Sequence, residues 1–476
     1  MKRREFIKSS ALLAGSCIFG TAFGASKEID AKKPNVIYIL ADDAGYADIS
    51  CYGQKLFSTP NIDSMAASGI KFTDHYAGCT VCAPSRCSLM TGLHTGHCFT
   101  RGNVGFQGYD YPIPAETYTA GNLFKENGYR TACIGKWGLG GPDTSGHPLK
   151  HGFDRFYGYL SQHNAHFYYP NFLWDNENKV ELNAKAYSHS LIQSRALDFI
   201  NESDERPFFL YLTYTIPHAE LAATDEYMKQ FEGKYPQGHA HICKAPGRGY
   251  GTQEKPRQAF AAMMKQLDDS VGEVLEALKA NGIDDNTLVF FSSDNGPHAE
   301  GGADPEFFDS NGPLTGIKRD LYDGGIRVPF IARWQGKIDS GRVTGHISAF
   351  WDILPTCAEI LGAKLPGRTD GISLLPTLTG KGKQEEHEFL YWEFHEQGGK
   401  QALRMGKWKA VRLGVSKDAR APVMLFDITK DIAEQNDVAG KFPEVAARAA
   451  RIMAEQHEKS DVYRLLPDEK KALPFS

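Results

Sequence analysis

The stretch that decides the fold runs from Asn35 to Tyr46 and reads NVIYILADDAGY. After the leading asparagine, Val36 to Leu40 are continuously apolar, which suits a strand buried on both faces of a mostly parallel sheet; a strand with one wet face would alternate. The run ends in Ala41-Asp42-Asp43-Ala44. Two adjacent acids at the end of a buried strand are costly unless something neutralises them. Ligand sites in open α/β sheets also lie beyond the carboxyl ends of the strands. One aspartate there reads as a loop cap; the pair points to a metal.

The same arrangement returns three times. Arg130–Ile134 reads as a strand and runs into Gly135-Lys136-Trp137-Gly138. Pro207–Thr213 (PFFLYLT) runs into Pro217-His218, and Thr287–Ser292 into Ser293-Asp294-Asn295-Gly296. Helices are expected over Thr59–Gly69, Thr117–Asn127 and Gln258–Leu278, with a strand over Ile70–Tyr76. The Gln258–Leu278 helix carries Phe260, Met263, Met264, Leu267 and Val271 at three-to-four spacing, so its methionines read as core. The alternation predicts an α/β fold with a large, mostly parallel central sheet flanked by helices. Beyond Glu388, short strands at Phe389–Phe394, Ala402–Met405, Trp408–Leu413 and Leu425–Asp427 precede a charged helix over Phe442–His457. They predict a smaller C-terminal domain of antiparallel sheet plus helix. The expected boundaries are 1–24 for a signal peptide, 25–375 for a catalytic domain and 376–476 for a subdomain completing the substrate pocket.

A second stretch, Cys79–Gly96 (CTVCAPSRCSLMTGLHTG), reads as a helix that starts near Cys82. Pro84 suits the first turn and Gly92 the C-terminal cap. A side chain at such a start meets free backbone N–H groups and the positive end of the helix dipole, and Arg86 adds a forked cation suited to oxyanions. For a lone cysteine a buried core position would be the better reading. Four strands that deliver Asp42 and Asp43, Lys136, His218, and Asp294 and Asn295 to one sheet edge reverse that preference.

A formal net charge of −5 over 476 residues, with no basic run, argues against a nucleic-acid partner. Lys2-Arg3-Arg4-Glu5-Phe6-Ile7-Lys8 and the short apolar run Ala11–Phe23 have the form of a secretory signal with a twin-arginine character. This predicts passage through export machinery to the periplasm, with a lipid anchor at Cys17 as a competing reading. No other segment is apolar enough for a transmembrane span. The nine cysteines show no zinc-finger spacing.

Three aspartates and a carboxamide are hard oxygen ligands, suited to Ca²⁺ or, less well, Mg²⁺. With Arg86, Lys136, Lys318 and His218 around them, such a group can bind a small oxyanion and protonate a leaving oxygen. A plain thiolate from Cys82 is a poor nucleophile beside a hard cation. Cys82-Ala-Pro-Ser-Arg86 resembles the C-x-P-S-R signature of type I sulfatases, members of the alkaline phosphatase-like superfamily. The order Asp42-Asp43, Gly135-Lys136-Trp137, Pro217-His218, Asp294-Asn295-Gly296, Gly316-Ile-Lys318 and Tyr322–Pro329 is similar too, and the pattern is nearest to bacterial carbohydrate sulfatases.

The resemblance implies that a maturation enzyme oxidises Cys82 to formylglycine, whose hydrate attacks sulfur and later expels sulfate. It implies Asp42, Asp43, Asp294, Asn295 and the modified Cys82 as Ca²⁺ ligands. Arg86 would orient the hydrate, Lys136 and Lys318 would clamp sulfate, and His218 would protonate the leaving oxygen. One position departs: many members carry histidine, the base for the second step, where this chain has Gly138. His298 is the candidate replacement or a substrate contact.

The aromatic and histidine-rich segment 158–174, with His163 and His166, offers faces for a sugar ring, as do Glu393, His395 and Gln401. The expected substrate is a sulfated glycan, with galactose or N-acetylgalactosamine 4-sulfate as the ester. An arylsulfatase or choline-sulfatase, a phosphodiesterase or phosphonate hydrolase, and a non-catalytic glycan-binding relative are the alternatives.

Overall fold

In the strand Asn35–Ala41 every residue is buried, and alternation divides its side chains between two cores. Ile37, Ile39 and Ala41 enter one; Val36, Tyr38 and Leu40 enter the other. This is what a continuous apolar run buys: both faces of the strand are covered. The computed structural model describes residues 32–469 except 104, 107, 108, 203, 237 and 245–248. The signal expected at the N-terminus and Cys17 therefore lie outside the described residues.

The strand is central in a ten-stranded sheet. Thr287–Ser293, Asn35–Ala41, Phe208–Thr213, Arg130–Lys136 and Arg155–Tyr159 run parallel side by side in that order. Antiparallel strands continue the sheet on both sides, Phe330–Arg333 on one and Phe172–Asp175 on the other. On one face lie the helices Pro60–Ala67, Ser188–Asn201 and Pro256–Ala280, the last with Met263 and Met264 fully buried in the core. On the other lie Cys82–Thr91, Ala120–Glu126 and Ile353–Leu361. The α/β architecture is as expected.

Register sets the site. Ala41 pairs with Ser293, Leu40 with Thr213, and Thr213 with Gly135. The residues just beyond, Asp42, Asp294 and Lys136, therefore leave the sheet at one edge.

One expected element divides. Ile70–Phe72 joins the central sheet, but His75–Tyr76 pairs with Ser348–Ala349 in a separate two-stranded ribbon. The break comes where the Thr73 carbonyl accepts from Arg327 Nε at 2.7 Å and Tyr46 Oη at 3.2 Å, and Asp74 pairs with Arg327.

Leu390–Phe394, Lys400–Met405, Trp408–Leu413 and Val423–Asp427 form the antiparallel C-terminal sheet, with helix Pro443–Glu455 after it. The boundary expected between residues 375 and 376 falls inside a short helix, Leu375–Thr379. The described residues from Lys33 onward form one compact unit. Trp392 and Phe394 share a core with Tyr76, Cys79, Val81 and Trp351. Beside it lies a buried charge network. Asp323 accepts from Lys409 Nζ at 2.7 Å and Tyr76 Oη at 2.9 Å, while its N–H donates to Glu434 at 2.6 Å. The Tyr322–Pro329 motif thus binds the two sheets together.

Candidate active site

Cys82 opens the helix Cys82–Thr91, all of whose residues are buried. Gly92 ends it with a left-handed φ of 69°, a conformation glycine adopts without strain. At its start, Asn103 accepts the Ala83 N–H at 3.1 Å. Burial pushes the Cys82 thiol up to about 12, so at neutral pH it is protonated and supplies no thiolate.

Around Cys82 stand the acids of the strand ends. Asp42 Oδ2 accepts from Lys136 Nζ at 2.6 Å and lies 3.3 Å from Arg86 Nη2. Burial opposes its charge, yet Lys136 and Arg86 hold its pKa below the usual value. Asp43, at φ 64°, accepts from Asn295 Nδ2 and from Lys318 Nζ, both at 2.7 Å. Asp294 Oδ2 accepts from Arg86 Nη2 at 2.7 Å and its Oδ1 accepts the Asp43 N–H at 3.0 Å. Burial, with Asp42 close by, raises Asp294 to about 7. Arg86 also donates to the Lys136 carbonyl at 2.6 Å, which fixes its guanidinium among the acids.

Ligand atoms of Asp42, Asp43, Cys82 and His218 lie within 4.8 Å of one another. Two buried oxygens here, Asp42 Oδ1 and Asn295 Oδ1, have no hydrogen-bond partner among the described residues. Orphaned oxygens amid three carboxylates are what a hard divalent cation satisfies, so the residues present fit such an ion.

A cleft of about 310 Å³ opens beside this cluster, lined by His163, His166, His218, Tyr250 and Lys318 among others. His166 stacks on His218 at 4.9 Å between ring centroids, and His298 stacks on it at 5.5 Å. Both nitrogens of His298 are engaged: Nε2 faces the Pro217 carbonyl at 3.3 Å, and Nδ1 accepts the Glu300 N–H at 3.1 Å. That leaves no free nitrogen for a base.

Glu393, His395 and Gln401 stand apart from the cleft lining. Glu393 is buried between Arg101 at 2.9 Å and His457 at 2.7 Å. Gln401 donates to Tyr391 Oη and the Met453 carbonyl. His395 packs on Tyr463 and faces the Arg101 carbonyl. Partners on Arg101, Tyr391, Met453 and His457, most of them outside the C-terminal sheet, have absorbed all three polar groups. Sequence reasoning missed Asn103, Asp110, Gln162, Tyr250 and Glu300 at or beside the cleft. They sit on loops, a two-residue strand or a single 3-10 turn, none of which has a periodic pattern, and the missing side chain at Gly138 bears on Gln162 alone.

A family model described as Sulfatase matches residues 34–363. The chain belongs to the sulfatase family. A second model, N-sulphoglucosamine sulphohydrolase, C-terminal, matches residues 316–460. The sulfatase is 31% identical to human arylsulfatase A over 87% of this chain and 86% of that protein. It is 33% identical to rat N-acetylgalactosamine-6-sulfatase, over 79% and 71% respectively. Among solved structures it is similar to Ps i-CgsB in complex with k-i-k-neocarrahexaose, with a TM-score of 0.76, 30% identity and coverage of 92% and 95%. The chain is a sulfuric ester hydrolase. No helix among the described residues is long and apolar enough to cross a membrane.

Proposed function

We propose that this sulfatase removes sulfate from carbohydrates, with galactose or N-acetylgalactosamine 4-sulfate as the ester. The observation that carries the reading is the cleft: Lys318 and His218 open into it beside the buried acids, under walls of Tyr109, His163, His166 and Tyr250. Rings with polar edges suit a sugar. The similarity to a structure holding a neocarrahexaose supports the same substrate class.

In this reading Cys82, oxidised by a maturation enzyme to formylglycine, provides a hydrate oxygen as nucleophile; the protonated thiol does not serve. Asp42, Asp43, Asp294 and Asn295, with the modified residue, would hold Ca²⁺, which would draw negative charge from the sulfate. Lys136 and Lys318 supply fixed positive charge to sulfate oxygens. Arg86 holds Asp42 and Asp294 in place. His218 delivers a proton from Nε2 to the departing sugar oxygen. The basic N-terminal sequence supports export to the periplasm, with maturation and export machineries as partners.

The similarity to arylsulfatase A supports a second reading, hydrolysis of aryl sulfates. A panel of galactose and N-acetylgalactosamine sulfated at position 4 or 6, with 4-nitrophenyl sulfate, decides between them. Matured enzyme should release sulfate from at least one sugar, and Cys82→Ala from none. Release from the aryl ester alone would overturn the carbohydrate assignment.

A further inference from the structure

Gln162 is buried, with 6% of its surface exposed, yet neither Nε2 nor Oε1 of its carboxamide has a hydrogen-bond partner among the described residues. Its backbone is fixed, the N–H donating to Asp110 Oδ2 at 3.0 Å. The residue lines the cleft together with Asn103, Asp110, His166, His218 and Lys318. It reaches this place because position 138 has no side chain. Gly138 adopts a φ of +76°, and a Cβ built there would stand 1.9 Å from Gln162 Nε2. The carboxamide therefore takes the space that any side chain at 138 would need, two residues past Lys136.

An amide donor and an amide acceptor, side by side on one plane, are thus held desolvated and unpaired at the wall of the cleft. Buried polar groups in folded proteins are almost always paired, and an exception at a binding cleft points to what binds. A hydroxyl both donates and accepts, so neighbouring hydroxyls satisfy both atoms; a plain aromatic ring satisfies neither.

We propose that Gln162 is a substrate-contacting residue that selects the alcohol portion of the ester, its Nε2–H donating to, and its Oε1 accepting from, hydroxyl groups next to the sulfated position of a sugar. The inference rests on the carbohydrate reading above. A site built to hydrogen-bond substrate hydroxyls discriminates against analogues without them, because its own polar atoms are then stranded.

The test compares kcat/KM for the sugar sulfate of the panel that wild type cleaves fastest with kcat/KM for 4-nitrophenyl sulfate. It uses matured wild type, Gln162→Leu, which keeps the volume without the amide, and Gln162→Asn, which withdraws the amide by one methylene. The sugar-to-aryl ratio should fall at least about fivefold in both variants. A smaller change would overturn the proposal. So would failure of both variants to show a cooperative thermal melt, since that outcome assigns the amide a structural role. The carbohydrate reading fails separately, when wild type itself cleaves no sugar sulfate. A wild type active on sugars with an unmoved ratio in the variants removes Gln162 alone.

Discussion

Nζ of Lys318 lies 2.9 Å from Nε2 of His218, and the other ring nitrogen, Nδ1, faces the carbonyl oxygen of Ala219. A carbonyl accepts and never donates, so the ring proton sits on Nδ1 and Nε2 accepts from the Lys318 ammonium. Burial, then the charges of Lys318 and Lys136, hold the imidazole well below its usual pKa. His218 at rest is therefore neutral. It can protonate a leaving oxygen only by passing on a proton taken up at Nε2, the nitrogen that faces Lys318.

Removing either partner should then hurt poor leaving groups most. His218→Ala and Lys318→Met should each slow sugar sulfates by about 10²–10⁴-fold, the range of general acid catalysis. The loss on 4-nitrophenyl sulfate, whose phenolate departs unprotonated, should be smaller. Steady-state kinetics on the two ester classes checks this; equal losses would contradict the proton-transfer role.

The acid cluster predicts dependence on a cation. Stripping divalent ions with a chelator should abolish sulfate release and lower the melting temperature, and Ca²⁺ should restore both. At about a hundredfold excess over its dissociation constant the ion contributes about 2.7 kcal/mol of stability. A Ca²⁺ titration followed by calorimetry measures it, and Asp42→Ala should abolish the effect.

Gly138 and Gln162 should behave as a coupled pair. Gly138→His forces a side chain onto a positive φ and against the carboxamide, at a cost of about 1–3 kcal/mol from the backbone alone. Adding Gln162→Gly should return part of the lost stability. A denaturant-melt double-mutant cycle showing simple additivity would refute the contact.

The charge network between the sheets gives a stability prediction free of catalysis. Lys409 and Asp323 are fully buried 2.7 Å apart. Lys409→Met leaves Asp323 and Glu434 without their shared cation and should cost about 3–5 kcal/mol. Urea unfolding of the matured enzyme checks the figure.

His457 gives the sign of a pH effect. Burial works against its charged form, but Glu393 and Glu469, each 2.7 Å away, outweigh it and hold its pKa above the ordinary value. A raised histidine pKa contributes stability that is full below the unfolded pKa of about 6.5 and lost as pH rises through the folded value. The melting temperature should therefore decline from about pH 6.5 upward, and His457→Gln should flatten that part of the curve.

The parts of the fold legible in the sequence are those where burial is total. NVIYIL, FFLYLT and TLVFFS can be read as central strands because nothing in them faces water, and their register carries Asp42, Lys136 and Asp294 to one edge. Ile70–Tyr76 misleads because its division depends on Arg327, more than 250 residues away in the chain. Glu393 and Gln401 mislead in the opposite sense: polar residues in a strand resemble ligand contacts until their partners, Arg101 and Tyr391, are in place. Gln162 carries no periodic signal at all. Its position follows from an absence elsewhere, the side chain that Gly138 lacks.

The burial of the helix that begins at Cys82 sets a deadline. From Cys82 to Arg86 no residue is exposed, so once the chain has closed around this segment no second protein can grasp it. Oxidation of Cys82, as proposed, therefore belongs to the nascent or unfolded chain, and a molecule that folds first keeps its thiol for as long as it stays folded. The fraction of active enzyme in a cell is then settled by a race between maturation and folding. Slowing synthesis should shift that race without altering a single residue of the finished site.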